Sequence, residues 1–263
     1  MAKIVDNPRY ILRSPQARDI YSIIKNDPIF DVHTHIDWRA PFARSGWDLL
    51  KYHYFTEMAY SQGLEMDDIT KEKVKDISEY IPGMRTTAPY WWLVALSQKF
   101  FDGEDNNIGP RNWERFNKIV EEKGERSDRV EEILQNSNIE RIGLTNSPCE
   151  ALGGMPRIFL PTFRVDSLLD ITFGQEYSRI ADLAEFEEYI SSRFRYFVDN
   201  NARSAAVSLP PLQTTETRRA EISNIFERLI KRSVKPAEAD KFRAHILNYL
   251  SLTTFNTTMI LIR

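Results

Sequence analysis

Two histidines separated by a single residue, His33 and His35, close the run Ile29-Phe30-Asp31-Val32-His33-Thr34-His35. Pro28 breaks the chain just before it, and Ile29 to Val32 reads as a short strand. Side chains two apart on a strand share a face, so both imidazoles project together from its C-terminal end. They are two of the ligands that Zn²⁺ or a similar divalent ion takes, and tight binding needs a third from elsewhere. The alternative is that both are polar residues finishing a strand. The chain has one cysteine, Cys149, so any metal site must be built from nitrogen and oxygen. A single cysteine also forbids an intramolecular disulfide, which fits a reducing, cytoplasmic setting. No histidine adjoins Cys149 in sequence, which argues against a nucleophilic role.

The elements that must position these residues are bounded first by composition. The chain has 263 residues, 42% of them hydrophobic, enough for one large α/β domain or two small ones. The formal charge is -3, with both signs dispersed. No concentrated basic tract is present to neutralise phosphates, so no nucleic-acid partner is expected. No apolar run approaches the ~20 residues of a membrane helix, so no membrane partner is expected either. Met1 to Tyr10 lacks the apolar core of a signal peptide. A small sugar acid or other metabolite suits this balance.

Ile11 to Lys25 has helical spacing and reads as a leading helix. From Trp47 to Glu121 the pattern is mostly helical, broken at Pro82-Gly83 and Gly109-Pro110. This stretch holds Trp47, Trp91, Trp92 and Trp113, and it is too long for an ordinary connection. It reads as a helical insertion, residues 47–121, packed through its aromatics; an aromatic substrate platform is the alternative. Beyond it the pattern is regular. A helix around Val130, Ile133 and Leu134 has Ser127 as candidate N-cap. Ile139 to Thr145 is a strand, and Arg157 to Arg164 another. Leu183, Phe186, Ile190, Phe194 and Phe197 mark a helix. Ala205 to Leu209 is a strand stopped by Pro210-Pro211. Ile222, Ile225, Phe226, Leu229 and Ile230 form an amphipathic stripe. Ala237 to Tyr249 is helical, and Thr257 to Ile262 is a final strand. Strands alternating with helices imply parallel βαβ units, about five in number. His245 lies in a charged helical stretch and reads as a surface or packing residue, and Asp37 and Arg39 as loop residues.

The segment Ile29 to Ile36 resembles the first strand of the amidohydrolase superfamily. Leu49-Leu50-Lys51-Tyr52-His53-Tyr54, Ile142 to Pro148, Phe163-Arg164-Val165-Asp166 and Ala206 to Pro211 narrow the match. In that order they are similar to segments of the uronate (glucuronate) isomerase family, in a divergent branch. The resemblance implies a TIM-type (β/α)₈ barrel that interconverts D-glucuronate with D-fructuronate, and D-galacturonate with D-tagaturonate. It implies that His33 and His35 hold a divalent metal, Zn²⁺ or alternatively Mn²⁺, which polarises or orients the sugar's oxygens. It implies that Tyr54 hydrogen-bonds or shuttles a proton at the reacting carbons, and that His53 beside it binds substrate; support of the site from behind, or orientation of Tyr54, is the other reading. Arg164 would take a substrate oxygen or the carboxylate; a structural ion pair with Asp166 is the other reading. The partner is a hexuronate, and a homo-oligomer stays open.

Two departures bear on activity. Ile262 stands near the position where amidohydrolases commonly place a strand-five histidine. The strand-eight aspartate and the residues of strands six to eight have no counterpart here. The whole chain, 1–263, is thus expected to be the N-terminal part of a single barrel domain, inactive alone. A hydrolase or decarboxylase of the same superfamily, or a non-catalytic remnant, are the competing readings.

Overall fold

The structure, a computed structural model, describes residues 12–65, 74–103, 107–126, 128–170, 177, 179–208, 217–255 and 260–262. The chain divides into two compact units, Met1–Ile29 with Arg39–Ile139, and Phe30–Trp38 with Glu140–Arg263.

The first unit is helical. Helix α1 (Pro15–Ile24) starts where Ser14 accepts a hydrogen bond from Ala17 N, with Pro15 in the first turn. The short strand β1 (Ile29–Asp31) follows and carries the chain into the second unit at Phe30. Helix α2 (Gly46–Leu50) opens on a capping box between Ser45 and Asp48. Helix α3 (His53–Tyr60) and helix α4 (Val74–Tyr80) lead through a 3₁₀ turn (Ile81–Met84). Thr87 then caps α5 (Ala88–Phe100), and α6 (Trp113–Gly124) and α7 (Arg129–Ser137) complete the set. Asp128 is the N-cap of α7; Ser127, expected there, lies outside the described residues.

The packing expected of the tryptophans holds for Trp113, 2% exposed in a core with Leu50, Phe55 and Leu93. It fails for Trp91 and Trp92, which are 43% and 46% exposed. On α5 the core side is taken by Tyr90, Leu93 and Val94, and the helical period leaves the two tryptophans outside. Helix α7 ends at Asn138, whose left-handed backbone (φ 53°) closes the helix. The Asn138 side chain donates to Asn26 O and Asp27 O, at 3.1 and 2.8 Å.

The second unit is a parallel sheet covered by helices. Strand β2 (Ile139–Gly143) pairs with β1 on one side and β3 (Phe159–Leu160) on the other. Strand β4 (Thr162–Arg164) pairs with β5 (Ser204–Ala206), and β5 with β6 (Ile260–Ile262). The expected strand from Arg157 to Arg164 is split into β3 and β4 at Pro161, which has no N–H for the ladder. The register does not slip there: Ile142 faces Phe159, Gly143 faces Leu160 and Asn146 faces Phe163, a constant offset. The described strands thus form two three-stranded sheets, β1-β2-β3 and β4-β5-β6, joined in register by the single parallel bridge between Asn146 and Phe163, with β1 and β6 at the outer edges. The described strands form an open sheet rather than a closed barrel.

Helix α8 (Leu183–Asp199) is capped by Asp182 and lies over β4, with Phe194 and Phe197 against Phe163. Helix α9 (Arg219–Ile230) and α10 (Pro236–Phe255) add Phe226 and Phe242 to the same core beside Phe186. The expected strand end at Leu209-Pro210-Pro211 and the residues Thr257–Met259 and Arg263 lie outside the described residues. No described helix is long and apolar enough to cross a membrane.

Candidate active site

In the second unit, polar side chains follow the carboxyl ends of successive parallel strands. That is where open α/β sheets and barrels alike build their ligand sites. His33 and His35 come just past β1. Their rings lie 4.9 Å apart, centroid to centroid, edge to face at 87°. The two rings therefore lie against each other, although both residues stand past the end of β1 rather than in it. Both are exposed. His33 N donates to Asp31 Oδ1 at 3.3 Å.

Strand β2 holds this segment in place. Thr34 N donates to Gly143 O at 2.8 Å, and Thr145 Oγ1 donates to Thr34 O at 3.0 Å. Thr145 Oγ1 also lies 2.9 Å from His35 Nδ1. Gly143 is what allows so close an approach: a Cβ there would sit 2.5 Å from Val32 O and 2.8 Å from Val32 C. Asn146, 3% exposed, carries the ladder beyond β2, donating to Thr162 O and accepting from Arg164 N, both at 3.0 Å. The loop that follows is pinned by Arg193 of α8, which donates to Pro148 O and Glu150 O.

Arg164 ends β4. Its Nε donates to Asp166 Oδ2 at 2.9 Å, and its Nη2 to Ser208 Oγ, beyond β5, at 3.3 Å. Ser208 N donates to Asp166 Oδ1 at 3.0 Å. Burial opposes the charge on Asp166, but hydrogen bonds from Ser208 and Arg164 outweigh it and hold the carboxyl below its ordinary range. The ion pair weighed in the sequence thus exists. It occupies one edge of the guanidinium, and Nη1 has no polar partner among the described residues.

His53 and Tyr54 belong to the first unit, at the start of α3. Their rings are 4.2 Å apart, and Tyr52 lies 4.6 Å from His53 and 5.1 Å from Tyr54. Tyr54 is 49% exposed. Among the described residues its hydroxyl has no hydrogen-bond partner. His245 is not merely a surface residue: its Nε2 lies 2.9 Å from Glu187 Oε1, within an ion-pair cluster of α8, α9 and α10.

The histidine pair fits the part of a divalent-ion site that two imidazoles supply. Metal–nitrogen bonds of ~2.0–2.1 Å require nitrogens within about 4 Å of each other, within reach of rings so placed. Among the described residues no group of three His, Cys, Asp or Glu side chains is assembled, so a third ligand is not identified there. Sequence reasoning passed over Thr145, which contacts Thr34 and His35, and Ser208, which joins the pair of Arg164 and Asp166. The signal was the polar run Thr145-Asn146-Ser147 directly after an apolar strand.

A parallel α/β protein with polar side chains gathered beyond its strand ends is the class that fold and site define. A profile of the family described as glucuronate isomerase matches residues 1–261, and the chain belongs to that family. It is similar to the uronate isomerase of Caulobacter vibrioides, 23% identical over 283 aligned positions that cover 93% of this chain and 58% of that protein. The uronate isomerase of Caldicellulosiruptor saccharolyticus is 24% identical, over 92% of this chain and 59% of that one. Among solved structures, a glucuronate isomerase from Caulobacter crescentus superposes with a TM-score of 0.79 at 22% identity, over 93% of this chain and 59% of that chain. A uronate isomerase from Thermotoga maritima gives 0.84 at 16% identity, over 97% and 63%. The chain spans 58–59% of the length of these curated relatives.

Proposed function

We propose that the chain is the N-terminal part of a metal-assisted hexuronate isomerase, whose five described strand positions belong to an eight-stranded β/α barrel. Residues 47–121 are then a helical insertion within that one domain. The reaction interconverts D-glucuronate with D-fructuronate, and D-galacturonate with D-tagaturonate. Hydrogen moves between C1 and C2 through an enediol-like intermediate. This needs a base at one carbon, electrophilic help at the carbonyl and a cation for the C6 carboxylate.

In this reading His33 and His35 hold the ion, Zn²⁺ or Mn²⁺, which when bound supplies Lewis acidity to the sugar's oxygens. Tyr54 hydrogen-bonds or relays a proton at the reacting carbons, and its exposed hydroxyl suits that task. His53, in ring contact with Tyr54, orients it. Arg164, fixed along one edge by Asp166 and Ser208, offers its remaining N–H groups to the carboxylate or a sugar oxygen. Turnover in this reading belongs to a protein of the relatives' length, of which this chain spans 58–59%.

The observation that carries the reading is the pair of imidazoles set edge to face past β1. Calorimetric titration with Zn²⁺ tests it, and His33→Ala and His35→Ala should each abolish binding. Zn²⁺ binding indifferent to both changes refutes the metal assignment. Incubation with Zn²⁺ and glucuronate in deuterated water tests the chemistry through ketose formation and deuterium at C2. Turnover by the chain alone refutes the need for further strands, and hydrolysis of amides in its place points to a hydrolase.

A further inference from the structure

We infer that Thr145 is a positioning residue that locks His35 in the tautomer protonated on Nδ1, so that Nε2 carries the lone pair. The inference rests on the metal reading above only for its purpose; the hydrogen-bond geometry stands by itself. Thr145 Oγ1 lies 3.0 Å from Thr34 O and 2.9 Å from His35 Nδ1. A hydroxyl has one proton to donate, and a carbonyl oxygen can only accept. If that proton pointed at His35, two oxygens would face each other at hydrogen-bond distance with nothing between them. The arrangement that satisfies all three atoms has Oγ1–H donating to Thr34 O and Nδ1–H donating to Oγ1. A neutral imidazole protonated on Nδ1 has its lone pair on Nε2, the state in which that nitrogen can ligate a cation.

The geometry extends to the residue between the two histidines. Thr34 is clamped to β2 at both of its peptide groups, its N–H on Gly143 O and its carbonyl on Thr145 Oγ1. One side chain just past β2 thereby sets the backbone that presents both rings and the tautomer of one of them. Thr145 is half-buried and β-branched, so its own rotamer is restricted.

The test uses the ¹⁵N-labelled chain without metal, at about pH 8.5, well above the ordinary histidine pKa of ~6.5. Long-range ¹H–¹⁵N spectra report which ring nitrogen carries the proton, and His35→Asn assigns the signals among the four histidines. The wild type should show His35 protonated on Nδ1. Thr145→Val keeps the shape but loses the hydroxyl, and should shift His35 toward the Nε2-protonated form. Thr145→Ser should restore the wild-type pattern. Titration with Zn²⁺ alone should show about 10–100-fold weaker binding for Thr145→Val, the usual cost of losing a group that orients a ligand, with recovery in Thr145→Ser.

A wild-type His35 protonated on Nε2 overturns the assignment, even if Thr145→Val fails to fold. So does a folded Thr145→Val with an unaltered tautomer. A wild type that has the Nδ1-protonated ring, loses it in Thr145→Val, yet binds no Zn²⁺, supports the positioning role and refutes the metal reading.

Discussion

Replacing Gly143 with alanine should destabilise the sheet, and the structure fixes both the sign and the scale. The added Cβ would lie 2.5 Å from Val32 O and 3.2 Å from Asp31 O, both backbone atoms of the β1 segment. Carbon and oxygen do not ordinarily approach closer than about 3.3 Å, so the strands must part by roughly 0.8 Å. Such a retreat along the ladder stretches the 2.8 Å bond from Thr34 N to Gly143 O to about 3.6 Å, beyond hydrogen-bond range. Forced repacking costs about 1–3 kcal/mol, and the lost bond adds about 1 kcal/mol. Gly143 is not among the glycines with positive φ, so unfolded-chain entropy alone would make the same change stabilising, by about 0.4–1 kcal/mol. The two arguments predict opposite signs. Urea denaturation followed by far-ultraviolet circular dichroism should show a net loss of about 1–3.5 kcal/mol. Zn²⁺ affinity should fall with it, since Thr34 and the two rings ride on that ladder. A Gly143→Ala chain as stable as the wild type would show that the contact between β1 and β2 is not as close as described.

Two further perturbations separate structure from chemistry. Glu187 of α8 takes both Arg219 Nη atoms, at 2.9 and 2.6 Å, and His245 Nε2 at 2.9 Å. Burial disfavours its charge, but hydrogen bonds from Arg219 and His245 and their charges prevail, and its carboxyl is held below the ordinary range. The resulting stability is fully present above the unfolded carboxyl pKa of ~4.3 and drains away as pH falls through the lower folded value. Glu187→Gln should cost about 1–2 kcal/mol at neutral pH, a modest figure because Arg219 is largely exposed. The gap from wild type should narrow in acid, as thermal melts across that range would show; a constant gap would mean the charge is irrelevant. Tyr54→Phe should leave stability within about 0.5 kcal/mol, because the ring is half-exposed and its hydroxyl has no described partner. Loss of turnover in a full-length relative carrying the equivalent change would then report chemistry, whereas a large fall in melting temperature would assign the hydroxyl a structural bond.

Much of the sheet was legible because buried parallel strands announce themselves as apolar runs between turn residues. Strands β1 and β2 fall within the expected stretches, β5 starts one residue before its own, and α8 and α9 bury the stripes of Phe186 to Phe197 and Ile222 to Leu229 but leave Ile230, counted in the second, exposed. The split at Pro161 was not anticipated, since a run that reads as one strand gives no weight to a missing N–H. The burial of tryptophans was overestimated for Trp91 and Trp92, because size favours the interior but the helical period decides which residues reach it. The nearness of the His33 and His35 rings was legible from their two-residue spacing, although both stand past the end of β1 rather than in it. The contact between Thr145 and His35 spans 110 positions in sequence, and that between Asp166 and Ser208 spans 42. Only the parallel register brings such residues together, and no local pattern encodes it.

Along the outer flank of β1, peptide groups go without a neighbour among the described strands, beside Phe30 and Val32, which are 54% and 62% exposed. Any extended polypeptide arriving there gains both a ladder and a greasy surface to cover. The isolated chain should therefore stay monodisperse only when dilute, and a lysine in place of Val32 would be the simplest way to keep it in solution.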